Sequence, residues 1–75
     1  MATYETYKQC ENALNELITI CHNSKNNLFI TAANLFQEIF ENIPNYYKAN
    51  QQELITLTKE LKQLKEKINV YEKYF

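Results

Sequence analysis

The apolar positions of this chain fall into three runs, each with helical spacing. In the first, Tyr7, Cys10, Leu14, Leu17 and Cys21 recur at intervals of three, four, three and four. They set one stripe of a helix predicted over about 3–22, which Ala13, Ile18 and Ile20 widen to an arc of roughly 160°. Thr3 has the chemistry of its N-cap, and Glu5 suits the positive end of its dipole. The polar run His-Asn-Ser-Lys-Asn-Asn over 22–27 then interrupts the apolar face for more than a turn. In a chain without glycine, asparagine is the residue expected to stop a helix, because it tolerates left-handed backbone angles. A turn is therefore expected here; the rival pattern is one helix running from 3 to 43.

The second run spans about 27–43. Leu28, Phe29, Ala32, Ala33, Leu35, Phe36, Ile39, Phe40 and Ile43 cover an arc of roughly 160°, opposite Asn34, Gln37, Glu38 and Glu41. A helix this broadly apolar calls for two neighbours. Pro44 should end it, because proline holds the residue before it away from helical angles.

The third run is the longest, over about 45–75. Tyr47, Asn50, Leu54, Leu57, Leu61, Leu64, Ile68, Tyr71 and Phe75 alternate spacings of three and four without a slip. The stripe is narrower, roughly 120°, close to a coiled-coil seam. Asn50-Gln51-Gln52-Glu53 also fits a capping box, a second possible start for the regular helix. A parallel pair through this seam would set Glu60 against Lys65 of the other chain and Lys67 against Glu72, both attractive. At roughly 45 Å such a helix is longer than the first two, so its last turns, with Ile68, Val70, Tyr71, Tyr74 and Phe75, are expected to overhang.

These patterns predict an all-α fold of one helical domain over 1–75. Its form is a three-helix up-down-up bundle, or a helical hairpin, with a long heptad-patterned C-terminal helix. At 75 residues the core is small, and chains of this size usually need a staple. Cys10 and Cys21 cannot supply one within a helix, since eleven residues separate them by roughly 16 Å. They read as small buried hydrophobes in a reducing compartment. Association is the staple that remains.

Composition narrows the chemistry. With no glycine the chain cannot build a Gly-rich phosphate cradle or a nucleophile elbow, and with no arginine it lacks bidentate forks for phosphate. The net charge is −1, yet residues 1–43 carry −3 and residues 44–75 carry +2. Nucleic acid is therefore a disfavoured partner, although Lys59, Lys62, Lys65 and Lys67 form a Lys-bearing region and Tyr46, Tyr47, Tyr71 and Tyr74 could stack on bases. Cys10, Cys21 and His22 match no zinc spacing, and Glu38 with Glu41 lacks the ligand histidines of a di-metal bundle. No catalytic residue, cofactor or metal is expected. A ligand-binding bundle would need a cavity near Cys21 and Phe36. No targeting segment or membrane-length apolar run is visible, so a cytoplasmic location is the default expectation.

The expected function is a non-enzymatic protein–protein interaction or oligomerisation module, a small adaptor or assembly factor. Its contact seam would be Leu57, Leu61, Leu64, Ile68, Tyr71 and Phe75, and its partner a protein or a second copy in a parallel homo-oligomer. The alternatives are a small nucleic-acid-associated regulator and the N-terminal helical fragment of a longer coiled-coil protein.

Overall fold

The computed structural model describes residues 1–43 and 45–74, and among them the chain is all-helical with no strand. Helix α1 spans Tyr4–Ser24, α2 spans Asn27–Glu41, and α3 spans Gln51–Tyr74; a single 3-10 turn, Tyr46–Lys48, precedes α3. Position 44, where proline was expected to stop the second helix, and Phe75 lie outside the described residues.

Each helix start has a local chemical cause. The Thr3 side chain accepts a hydrogen bond from the Thr6 N–H at 3.2 Å, as its N-cap role predicts. Asn26 Oδ1 accepts from Leu28 N–H at 2.9 Å and opens α2. Asn50 Oδ1 accepts from the N–H groups of Gln52 at 2.9 Å and Glu53 at 3.2 Å, and so opens α3. The break between α1 and α2 is real, which settles the turn against the single long helix. The left-handed residue there is Lys25 (φ 60°), not one of the asparagines. Asn26 must keep an extended backbone to cap α2, so the positive φ falls on its neighbour.

The cap at Asn50 also corrects the length of the third helix. Tyr47 and Asn50 lie before α3, not on its stripe. Starting at Gln51, α3 has 24 residues, roughly 36 Å, against roughly 31 Å for the 21 residues of α1. The expected overhang shrinks to about one turn, and Ile68, placed on it by the sequence, is 1% exposed.

Helix α1 is the central element. It packs closely against both α2 and α3, whereas α2 and α3 approach each other far less closely. Cys10, Ala13, Leu14, Leu17 and Cys21 of α1 meet Leu54, Leu57, Leu61 and Ile68 of α3 and Ala33 and Phe40 of α2 in one core. At one end Tyr7 stacks on Phe40, with centroids 5.1 Å apart. There the Thr3 N–H donates to Gln51 Oε1 at 3.0 Å, and Gln51 Nε2 donates to Thr6 Oγ1 at 2.7 Å. The starts of α1 and α3 and the finish of α2 are thereby gathered together. At the other end Phe29 of α2 meets Tyr71 of α3 edge-on at 5.2 Å. The radius of gyration, 12.8 Å, exceeds the roughly 11 Å of a compact chain this long. That excess fits a helix trio left open along one edge.

Candidate functional site

The seam residues singled out by the sequence are largely committed to their own chain. Leu57, Leu61 and Ile68 are buried against α1, and Leu64 packs half-buried beside them. Tyr71 is 43% exposed and rests its ring edge on Phe29; Phe75 lies outside the described residues. The apolar stripe of α3 matches the inner stripe of α1 in spacing and apolarity, and proximity within one chain gives α1 the advantage over any second molecule. A parallel self-pair through Leu57, Leu61 and Ile68 would have to draw those side chains away from α1.

The most regular exposed aliphatic stripe is on α2. Leu28, Leu35 and Ile39 are 78%, 56% and 52% exposed, and with half-buried Ala32 they recur at spacings of four, three and four. These residues form the second face of the broad arc read from the sequence. Ala33 and Phe40 turn the first face to α1, while among the described residues no helix packs along most of the second. The sequence held the signal, since α2 is apolar too broadly for one contact. What it did not hold was the choice between α2 and α3 as the helix left uncovered.

Beside this stripe lies a groove of about 430 Å³, open on one side, between the finish of α2 and the start of α3. Ile39 and Ile43 line one wall, Leu54 and Leu57 the other, with Lys48, Asn42 and Glu53 at the rim. Toward the other end of α3, Val70 and Tyr74 are exposed as well. An apolar wall with a polar rim suits an amphipathic helix or an apolar side chain, not a charged small molecule.

The remaining candidates have structural employment. Tyr46 lies 5.6 Å from Tyr4, 5.8 Å from Tyr7 and 5.7 Å from Tyr47, so these rings meet edge-on or tilted at the end of the core. Lys65 donates to Glu16 Oε2 at 2.9 Å, which holds the Glu16 carboxyl below its ordinary value, and Lys62 adds to that pull. Two of the four lysines of the proposed basic region thus face a carboxylate. Cys10 and Cys21 are free and fully buried, and burial pushes both thiols up; a hydrogen bond with Thr58 opposes this in part at Cys10. Cys21 is buried in the core and Phe36 packs against that core, while the groove lined by Ile39 and Leu54 lies elsewhere than the cavity considered near those two residues. Among the described residues no three His, Cys, Asp or Glu side chains gather as a metal ion would require. No helix there is long and apolar enough to cross a membrane. Compared with known proteins, the chain matches no family, no curated protein and no solved structure.

Proposed function

We propose that this chain is a non-enzymatic protein–protein interaction module, an up-down-up helical unit whose heptad-patterned third helix serves mainly to brace the first. In this reading the working surface is the outer stripe of α2, with the groove beside it. One observation carries it: three large aliphatic side chains, Leu28, Leu35 and Ile39, stand exposed in helical register. Single exposed aliphatics are ordinary, whereas a register of them along one helix is the pattern of a contact surface. Charge argues against a lipid surface as its target. The polar side of α2 carries Glu38 and Glu41 and no lysine, whereas helices that lie on anionic membranes carry Lys or Arg there.

Sedimentation equilibrium across a concentration series tests the reading. The wild-type chain is expected to gain mass with concentration. The double variant Leu35→Lys, Ile39→Lys is expected to stay monomeric with its helical circular dichroism intact, because neither position belongs to the buried core. A wild-type chain that remains monomeric throughout the series, or a variant that associates as strongly as the parent, would remove the reading.

A further inference from the structure

We infer that the partner of α2 is α2 of a second copy of this chain, laid antiparallel across a two-fold axis near the helix midpoint; this rests on the interaction reading above. The stripe is self-complementary in that direction. With the axis between Ala33 and Asn34, Leu28 meets Ile39 of the other copy and Ala32 meets its Leu35, so that each small residue faces a large one.

Charge selects the direction. The contacts Tyr7–Phe40 and Thr3–Gln51 gather the start of α1, the finish of α2 and the start of α3 at one end. That end carries Glu5, Glu11, Glu38, Glu41 and Glu53 against Lys8 and Lys48, a balance of −3. The rest of the molecule holds the other six lysines and four glutamates, a balance of +2. A parallel pair sets acidic end beside acidic end. An antiparallel pair sets each acidic end beside the basic end of its partner. Helix α2 shows the same need locally. It has no acidic residue in its first turn and no basic residue in its last, so its own dipole is uncompensated. In the antiparallel pair Glu38 and Glu41 of one copy approach the first turn and Lys25 of the other.

Lys25 and Glu38 stand at opposite ends of α2, roughly 20 Å apart within one chain, so any coupling between them must be intermolecular. The test uses two variants of the full chain, Lys25→Glu and the double change Glu38→Lys, Glu41→Lys. The double change gives the finish of α2 a charge that suits its dipole, whereas Lys25→Glu suits the start of α2 but opposes the finish of α1, which Lys25 caps; the helical circular dichroism of each variant is therefore read beside its association. Each should self-associate roughly tenfold more weakly than wild type at low salt, since each sets like charges together. An equimolar mixture of the two should recover wild-type association, because every end contact in the mixed pair is again between opposite charges. Variants that each self-associate as tightly as wild type, as a parallel pair would give, or a mixture no tighter than either variant alone, overturn the antiparallel pair. If Leu35→Lys, Ile39→Lys still abolishes association in that case, the interaction surface stands and only its occupant or direction is wrong.

Discussion

Single side chains decide where the helices begin, and their contributions can be isolated. Asn50 bonds two otherwise orphaned N–H groups of α3 and keeps Tyr46–Lys48 out of that helix. Replacing Asn50 with Ala should cost about 1 kcal/mol, read as a lower urea midpoint with an unchanged slope. The cysteines offer a second test at this scale. Because burial raises both thiols, their contribution to stability is complete below the unfolded thiol value, about 8.5, and is lost as pH rises through the folded values. At pH 8 a thiol reagent should label Cys10 and Cys21 only as fast as the chain unfolds, and in denaturant both should react at once. Rapid labelling of the folded chain would mean that the inner face of α1 is not sealed.

Between elements, the contrast lies in how α2 and α3 use their apolar stripes. The α3 stripe is spent inside the molecule, as Leu61 shows at 1% exposure, while Leu28, Leu35 and Ile39 of the outer α2 stripe each stay more than half exposed. Leu61→Ala should therefore destabilise the fold by about 2–5 kcal/mol, enough to leave so small a domain largely unfolded. Leu28→Ala, at a side chain in water, should leave stability within about 0.5 kcal/mol of wild type. Urea melts of dilute samples check both, and equal losses at the two sites would contradict the assignment of inner and outer faces.

For the molecule as a whole, ion pairing across the helices is slight and salt-sensitive. The Glu16–Lys65 contact joins α1 to α3 between exposed or half-buried side chains. Lys65 holds the Glu16 carboxyl below its ordinary value, so the contribution is present above the unfolded carboxylate value, about 4.3, and disappears as pH falls through the folded one. Between pH 6 and pH 3 the wild-type melting temperature should fall slightly further than that of Lys65→Met, and added salt should erase the difference. A variant with the same acid sensitivity as the parent would show that the contact carries no stability.

Three helices, two of their caps and the width of each apolar face were legible in the sequence, because caps and faces follow from residues a few positions apart. Thr3, the polar break before α2 and the alternative start at Asn50 all belong to that local physics. The pairing of stripes was not legible. The seams of α1 and α3 are alike in spacing, and nothing along the chain ranks a neighbour in the same molecule above one in another. Tertiary structure ranked them: the turn at Lys25 and the link through Tyr46–Lys48 bring both later helices back onto α1. Closing α3 on α1 costs little once a short connection has set their distance, and it covers a full stripe on each. Only one helix can cover that part of α1, so α3 lost the free face expected from its apolar spacing and α2 kept one.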